Sequence, residues 1–403
     1  MIQPREVIAK LGVDGLCESA ERYFQQVIDP TPLMAKPFMN LMEAPGMLYH
    51  LGLLLAGLKL AKTMTVLEFG AGTCWLSRLL TQLQCAAIAV DPSPTALRIG
   101  QKLFREYPVI GAQIAEPQFL HFDGRRIPLP DESVDRIVCF DAFHHVPNPQ
   151  EVLAEFARIL KPGGMAGFSE PGRHHSRSPQ SQAEMQNYDV LECDLKFEEL
   201  AELAHAAGFS DCSCKLLCDP ERDLSLSDYQ KLVRSKFTPP VSLSVKLWQS
   251  LYSAMQNAAI FFFYKGTCRL DSRGHLGLSH TLRTRAEHLF VSSGEPLRIP
   301  ITIVNTGTAH WLNQNIADIG VVKLGAHLYD DAGKLLNLDF WRMRLEHPVS
   351  PETEIELTAE IVFPEPGIYQ LAFDLVSEQV CWFEHIGSAP IRISVTVNSA
   401  NAA

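Results

Sequence analysis

The chain has 403 residues, of which 46% are hydrophobic, and it carries a formal net charge of −11. This length exceeds what one core usually supports, so two domains are expected, and the negative charge leaves no basic footprint for nucleic acid or an anionic membrane. The chain shows neither a signal-peptide layout nor 18 consecutive apolar residues. We therefore expect a soluble, cytoplasmic protein without stable membrane insertion.

The first two thirds of the chain have the pattern of an α/β domain. A helical N-terminal segment is expected over 1–62, and from about residue 64 short apolar runs alternate with helical segments, as in βαβ units. Seven strands are predicted, in the runs MTVLEF, AAIAVD, 117–122, DRIVCFDAF, GMAGFSEP, CSCKLLC and AAIFFFYKG. With a helical insert at 219–257, the pattern predicts a Rossmann-like, doubly wound, seven-stranded sheet in a domain spanning 1–275.

The last third of the chain has a different hydrophobic period. We interpret residues 276–285, which are polar and poorly periodic, as a linker. Beyond them apolar residues alternate with polar ones, and the runs are separated by the turn sequences NTG, DDAG and PEPG. This pattern predicts an all-β sandwich of seven or eight strands over 286–398.

The ten cysteines do not form a recognisable metal or disulfide framework. Several lie inside apolar runs, where a free cysteine behaves as a small hydrophobic residue. The cluster Cys212, Cys214 and Cys218 has neither a CxxC pair nor a histidine at zinc-finger spacing. No metal is therefore expected.

The most informative stretch is VLEFGAGTCWLSRLL, where a strand ends at Glu68 and a glycine turn opens a helix. Gly70 and Gly72 allow a sharp turn and close approach of a ligand to the backbone. The third glycine of the dinucleotide fingerprint is replaced by Trp75, which argues against a pyrophosphate site. Glu68 would repel phosphates but would suit a cationic ligand.

This turn resembles the first motif of the class I methyltransferase superfamily, in particular of domains like methyltransferase type 11. Glu68, Gly70, Ala71 and Gly72 match that motif, and the third glycine of the family pattern falls on Cys74. The resemblance implies an S-adenosylmethionine-dependent methyltransferase, with S-adenosyl-L-methionine as cofactor and its methionine part at this turn.

Further matches to the family follow in order along the chain. Asp91, followed by Pro92, closes strand two, where a carboxylate can accept both ribose hydroxyls. In HFDGRRIPLPDESVD, Asp123 and Gly124 fall where the family holds the adenine edge, and Phe140 falls where it lines the cofactor from strand four. The turn LKPGG is similar to the family's turn before strand five. The alternative reading is that these residues only close turns.

Candidates for a general base are histidines beyond strands four and five. His145 follows strand four, and His174 and His175 lie in the polar loop Gly172–Asp189, which should border the acceptor pocket. A histidine there can take a proton from a hydroxyl acceptor. Glu170 flanks the same loop and is a weaker candidate. The alternative is that the loop histidines are simply solvated.

The C-terminal region resembles the immunoglobulin-like β-sandwiches of bacterial glycan-processing and polysaccharide-export proteins, in the stretches NTGTAHW, PEPGIYQLAFDLV and CWFEHIGS. Trp311, Trp341 and Trp382 could stack on sugar rings, but at least two of them are expected to be core residues. The domain could also mediate homo-oligomer formation.

The preferred hypothesis is O-methylation of a sugar or glycoconjugate, which rests on analogy with the appended sandwich. Two alternatives stay open. One is a methyltransferase for a natural product or another small metabolite, and the other is a non-catalytic cofactor-binding scaffold or carbohydrate-binding protein. In each enzymatic reading the partner is a small-molecule or glycan acceptor.

Overall fold

The computed structural model describes residues 1–111, 113–219, 223–234 and 241–399. The chain divides into two compact units, an N-terminal unit of Met1–Leu60 with Met64–Cys268, and a C-terminal unit of Ala61–Thr63 with the chain from Arg269 onward. None of the helices in the described ranges has both the length and the apolar character needed to span a membrane.

The N-terminal unit alternates helices and strands. Its described helices are α1 (Pro4–Gln26), α2 (Thr31–Met34), α3 (Ala44–Leu58), α4 (Trp75–Gln82), α5 (Pro94–Glu106), α6 (Pro149–Ile159), α7 (Pro179–Tyr188), α8 (Phe197–Ala206), α9 (Leu226–Arg234) and α10 (Val241–Asn257). Its described strands are β1 (Thr65–Phe69), β2 (Ala86–Asp91), β3 (Gln118–His121), β4 (Val134–Phe140), β5 (Leu160–Pro171), β6 (Asp211–Cys214) and β7 (Ala258–Tyr264).

These seven strands form one sheet in the order β3-β2-β1-β4-β5-β7-β6, and β7 runs antiparallel to its neighbours. The predicted Rossmann-like, seven-stranded fold is confirmed. The central strands are mostly apolar because helices cover both faces, and Leu67 and Ile137 are fully buried. Strand order reverses between β1 and β4, so the carboxyl ends of these strands diverge into a crevice suited to a ligand.

One segment beside the crevice differs from the expected loop. Most of the polar stretch Gly172–Asp189 forms α7, which begins where Ser178 accepts a hydrogen bond from the Ser181 amide and Pro179 occupies the first turn. The predicted helical insert 219–257 contains α9 and α10, and its residues 220–222 and 235–240 lie outside the described residues.

The C-terminal unit is built from strands. They are β8 (Leu270–Asp271), β9 (His280–Arg283), β10 (His288–Ser292), β11 (Pro296–Asn305), β12 (Ala309–His310), β13 (Val322–Asp330), β14 (Leu335–Arg344), β15 (Glu354–Val362), β16 (Gly367–Ser377), β17 (Cys381–Trp382) and β18 (Ile391–Asn398). A sheet in the order β10-β18-β16-β13-β14, with β17 beside β16, shares one apolar core with the sheet β15-β11-β9.

The start of this unit differs from the predicted linker at 276–285. The unit begins at Arg269, and within the predicted linker β9 pairs antiparallel with β11 while Leu278 and Leu282 are buried in the shared core. These few apolar residues are too widely spaced among polar ones to signal a strand. Trp311 and Trp382 are buried, as core packing predicts, and Trp341 is half-buried.

Candidate active site

A cavity of about 540 Å³ opens in the N-terminal unit at the carboxyl ends of β1, β2 and β4. One end is lined by the glycine turn after β1 and by the end of β2. The other end is lined by residues from the β4–α6 connection, from α7 and from 190–192. Residues of α1, among them Val13, Cys17 and Tyr23, line it as well. The switch point of the sheet therefore carries one continuous cavity with two chemically different ends.

In the glycine turn, main-chain atoms form part of the cavity wall. The amides of Gly70 and Ala71 donate to the Val90 carbonyl, and Gly70 has a φ of 68°. A Cβ on Gly70 would lie 2.4 Å from the Cβ of Ala142, so no side chain can be accommodated there. Gly70, Ala71 and Gly72 all line the cavity, as the sequence predicts for a close ligand contact.

Asp91 ends β2 at the same end of the cavity. Its Oδ2 accepts from the Gly72 amide at 2.8 Å and its Oδ1 from the Ser93 amide at 2.8 Å. Each carboxylate oxygen keeps a lone pair that can accept a hydrogen bond from a ribose hydroxyl. Burial raises the pKa of Asp91 to about 6 despite these two donors. Pro92 lines the cavity beside it.

A partly aromatic slot lies next to Asp91. Phe140 at the end of β4 packs edge-on against Trp75, with ring centroids 5.4 Å apart. Gly124 lies on the wall, and a Cβ there would lie 2.4 Å from Cγ1 of Val13, so α1 closes over this glycine. Phe122, which the sequence analysis did not single out, also lines the slot. The slot could hold a flat heteroaromatic ring such as adenine.

Two acidic residues predicted to contact the ligand are not on the described cavity wall. Glu68 is buried, and its Oε2 accepts from the Ser77 amide at 2.7 Å and the Ser77 hydroxyl at 2.5 Å, which ties β1 to α4. Burial raises the pKa of Glu68 to about 8. Asp123 is exposed, and its Oδ1 accepts from the amides of Arg125 and Arg126. Both carboxylates support the segments that form the cavity.

The other end of the cavity contains a cluster that we call the cavity cluster, His144, His145, His175, Glu170 and Glu192. His175 Nε2 lies 2.6 Å from Glu192 Oε2, and His144 Nδ1 lies 2.8 Å from Glu170 Oε2. His144 Nε2 lies 3.6 Å from Glu192, and His145 Nδ1 lies 2.5 Å from the Leu191 carbonyl. Each histidine thus has a hydrogen-bond partner.

Burial and hydrogen bonding have opposing effects on several pKa values in the cavity cluster. Burial disfavours a charged His144, but the hydrogen bond and charge of Glu170 raise its pKa to about 9. Burial and the neighbouring His144 lower the pKa of His145. Burial raises the pKa of Glu192, but the hydrogen bond from His175 and the charges of the histidines outweigh it and lower the pKa overall. A carboxylate on Glu192 therefore orients His175.

The structure separates the predicted base candidates. His175 and His145 line the cavity, whereas His174 is exposed and is not on the described wall. Glu170 is also absent from that wall, because its carboxylate faces the β4–α6 connection and accepts from the amides of Ala142 and Phe143. Of the two adjacent histidines in this turn, His175 therefore lines the cavity and His174 does not.

Sequence reasoning missed Glu192 and Glu184, which both line the cavity near His175. Glu192 is buried within the apolar run VLECDL. An acidic residue inside such a run is a signal of a buried, partnered carboxylate, because burial of an unpaired charge is costly. Glu184 lies on α7. The sequence analysis predicts a loop there, and a loop prediction does not indicate which side chains share a face.

Comparisons with known proteins identify a methyltransferase domain in this chain. Residues 67–168 match the family model described as a methyltransferase domain. A probable S-adenosylmethionine-dependent methyltransferase of Mycobacterium tuberculosis is 31% identical over 161 residues, which are 40% of this chain and 54% of that protein. An uncharacterized methyltransferase of Geobacillus kaustophilus is 31% identical over 157 residues, which are 36% of this chain and 68% of that protein.

Among solved structures, phosphoethanolamine N-methyltransferase 2 of Haemonchus contortus in complex with S-adenosyl-L-methionine aligns with a TM-score of 0.39 and 16% identity, covering 66% of this chain and 60% of that one. The chain spans 40 to 54% of the length of the first curated relatives that it matches.

Proposed function

Because the chain belongs to the S-adenosylmethionine-dependent methyltransferases, we propose that it transfers a methyl group from S-adenosyl-L-methionine to a hydroxyl group of a sugar or glycoconjugate. The observation that carries this proposal is a single cavity with Gly70–Gly72 and Asp91 at one end and the His175–Glu192 pair at the other. A ligand that presents a reactive group from the first end would meet an acceptor at the second.

The cofactor end is assigned by its chemistry. When bound, S-adenosyl-L-methionine supplies a methyl group on a positively charged sulfur. In this proposal Asp91 accepts from the ribose hydroxyls, and the bare backbone of the glycine turn lies against the amino-acid part. The residues assigned to the wall of this end are Gly70, Ala71, Gly72, Asp91, Pro92, Gly124 and Phe140, and Glu68 and Asp123 support them from behind.

The acceptor end is assigned to the His175–Glu192 pair. The Glu192 carboxylate can only accept, so the proton between them belongs to His175 Nε2, and Nδ1 carries the lone pair of the neutral ring. With cofactor and acceptor bound, His175 Nδ1 would take the proton that the acceptor hydroxyl loses on methylation. Glu192 then stabilises the imidazolium ion.

A polyhydroxylated acceptor suits the polar groups around this pair. Glu184, Gln180 and Ser181 line the cavity beside His175, and together they offer carboxylate, amide and hydroxyl partners. Sugars are recognised by such groups because each hydroxyl both donates and accepts. The likeness of the C-terminal region to sandwiches of glycan-processing proteins points the same way, as an analogy.

The experiment is a labelled-methyl transfer assay in which the full chain and S-adenosyl-L-methionine are incubated with separate pools of extracted glycans, free sugars and small metabolites. Label in the glycan or sugar pool, stable to mild base as an ether, supports the proposal. Label found only in other small metabolites would show that the acceptor is not a sugar or glycoconjugate. Cofactor binding without transfer to any pool would favour a cofactor-binding scaffold.

A further inference from the structure

A second group of buried histidines and carboxylates lies in the C-terminal unit. We call it the β-unit cluster, His280, His327, Asp374 and Glu384. Asp374 on β16 pairs with Gly325 on β13, two residues before His327. Because side chains alternate along a strand, His327 and Asp374 lie on the same face of the sheet. It is the face opposite to Leu324, Ala326 and Leu328, which belong to the shared apolar core.

The face that holds these residues is sealed rather than solvated. A 3-10 turn, Phe383–Ile386, lies over it, and the Glu384 amide donates to Asp374 Oδ2 at 2.9 Å. The side chains of His280, His327 and Asp374 are 0% exposed, and that of Glu384 is 28% exposed. Ionisable groups are seldom buried this completely unless they are paired or bind a metal.

The hydrogen bonds fix which nitrogen of His327 carries a proton. His327 Nδ1 contacts the Leu338 carbonyl oxygen, which can only accept, so Nδ1 is the donor. In the neutral ring Nε2 therefore carries a lone pair. This nitrogen is buried and has no hydrogen-bond partner among the described residues. It lies 3.5 Å from Oε1 of Glu384, without the geometry of a hydrogen bond.

The other contacts in the β-unit cluster supply no hydrogen-bond donor to the lone pair of His327 Nε2, which faces carboxylate oxygens. His280 Nε2, at 2.5 Å, supplies a donor to Asp374 Oδ1, and the Glu384 amide supplies one to Oδ2. Neither donor reaches His327 Nε2. His327 Nε2 and the carboxylates of Asp374 and Glu384 thus direct acceptor atoms toward one another. These atoms repel one another unless a positive charge lies between them.

The spacing suits a metal ion. One ligand atom each of His327, Asp374 and Glu384 lies within 4.8 Å of the others. In a tetrahedral zinc site with bonds of about 2.0–2.2 Å, neighbouring ligand atoms are roughly 3.3–3.6 Å apart. The 3.5 Å between His327 Nε2 and Glu384 Oε1 matches that edge. A ligating histidine commonly donates its other ring N–H to a backbone carbonyl, as His327 does to Leu338.

We propose that His327, Asp374 and Glu384 bind one divalent cation of the zinc type. One imidazole with two carboxylates favours Zn²⁺ over Ca²⁺ or Mg²⁺, which prefer six or more oxygen ligands or several waters. His280 and the Leu338 carbonyl orient the ligands, and the exposed side of Glu384 leaves room for water as the fourth ligand. The ion ties the 3-10 turn Phe383–Ile386 to β13 and β16.

The test compares the full chain with Glu384→Gln, because Glu384 is the ligand at the rim and the substitution keeps its volume. Each protein is stripped with a chelator and titrated with Zn²⁺ alone against a chromophoric competitor. The wild type should bind one more equivalent than Glu384→Gln, or bind it at least ~10-fold more tightly, and Zn²⁺ should raise its Tm by more than that of the variant. His288→Gln, an exposed histidine of the same unit, should behave as wild type.

Zinc bound by other histidines or cysteines cancels in this comparison, because it is common to all three proteins. Equal stoichiometry and affinity in wild type and Glu384→Gln would overturn the proposal, as would a Tm of the stripped wild type that Zn²⁺ leaves unchanged. Cobalt substitution gives a second readout: the wild type should show a tetrahedral d–d spectrum of greater intensity than Glu384→Gln. Identical spectra would also overturn the proposal.

Discussion

The cavity cluster and the β-unit cluster are built from the same residue types but have opposite hydrogen-bond arrangements. In the cavity cluster each histidine has a partner, and the charges of Glu170 and Glu192 are offset by protonated or donating rings. In the β-unit cluster His327 Nε2 is sealed in with carboxylates and has no donor. The number of histidines and carboxylates in a cluster therefore does not determine its function. The balance between hydrogen-bond donors and acceptors within the cluster does.

That balance suits each cluster to different chemistry. A partnered, partly open histidine can lose and regain a proton without leaving a buried atom unsatisfied, so the cavity cluster is suited to proton transfer. Convergent acceptors in a closed site are suited to a bound cation. The division can be tested at the cavity cluster and at two buried carboxylates of the N-terminal unit, Glu68 and Asp91.

The largest expected effect is on turnover when His175 is replaced. His175→Ala should lower the rate of methyl transfer by about 10² to 10⁴-fold, because the base is needed only in the transition state, while the affinity for S-adenosylhomocysteine stays nearly unchanged. Single-turnover transfer and calorimetry measure the two quantities. His174→Ala is the matched control, since that neighbour is exposed and off the described wall, and it should keep wild-type turnover.

Full turnover in His175→Ala would contradict a role of the cavity cluster in proton transfer. The cluster would then be a structural hydrogen-bond network. A rate loss in His174→Ala as large as that in His175→Ala would show that the turn, rather than the ring of His175, matters.

The next effect is on stability and concerns Glu68, a buried carboxylate that accepts hydrogen bonds from the amide and hydroxyl of Ser77. Its pKa is raised by burial from an ordinary 4.5 to about 8, so the protonated form is favoured in the folded state. The stabilisation is complete below pH 4.5 and is lost as the pH rises to about 8. Because Glu68→Gln cannot ionise, its free energy of unfolding should rise by about 4 kcal/mol relative to that of the wild type between pH 4.5 and 8.

Urea unfolding followed by circular dichroism at several pH values measures this difference. Glu116→Gln, at an exposed position, should follow the wild-type curve. Parallel curves for wild type and Glu68→Gln would mean that the Ser77 donors fully compensate the burial of the carboxylate.

Sequence patterns predicted the cofactor end of the cavity better than the acceptor end. Gly70, Gly72 and Asp91 are set by a strand, a turn and the next strand, all within about 25 residues, so their positions follow from local structure. The His175–Glu192 pair joins residues that lie before and after α7, and no local period shows that the chain brings them together. Glu68 was assigned to the ligand because the sequence does not reveal that Ser77 covers its carboxylate.

In the C-terminal unit, the period of two predicts strands but does not show what covers each face of a sheet. Alternation assigns His327 and Asp374 to the face opposite to the apolar core, which is normally solvated. Their burial depends on a turn more than 50 residues beyond His327 in the chain, and an alternating pattern carries no information about what covers the second face.

The smallest effect concerns Asp91, which resembles Asp374 in that each of its oxygens accepts one hydrogen bond. The difference is that Asp91 lines the cavity, so its remaining lone pairs can meet a ligand. Asp91→Ala should weaken binding of S-adenosylhomocysteine by about 1.5 to 3 kcal/mol, the scale of charge-assisted hydrogen bonds. The control is Glu116→Ala, which removes an exposed carboxylate off the described wall and should leave the affinity within about 0.5 kcal/mol.

Because Asp91→Ala also unpairs the amides of Gly72 and Ser93, the isosteric Asp91→Asn separates loss of charge from distortion of the turn. The pH dependence gives an independent check. Burial places the pKa of Asp91 near 6, so the wild-type affinity should fall as the pH drops through about 6 and the carboxylate gains a proton, whereas the affinity of Asp91→Asn should be flat over that range. Calorimetry between pH 5 and 8 measures both curves. A wild-type affinity that is independent of pH, together with full binding by Asp91→Asn, would show that the ribose is held elsewhere and that Asp91, like Asp374, serves neighbouring protein groups.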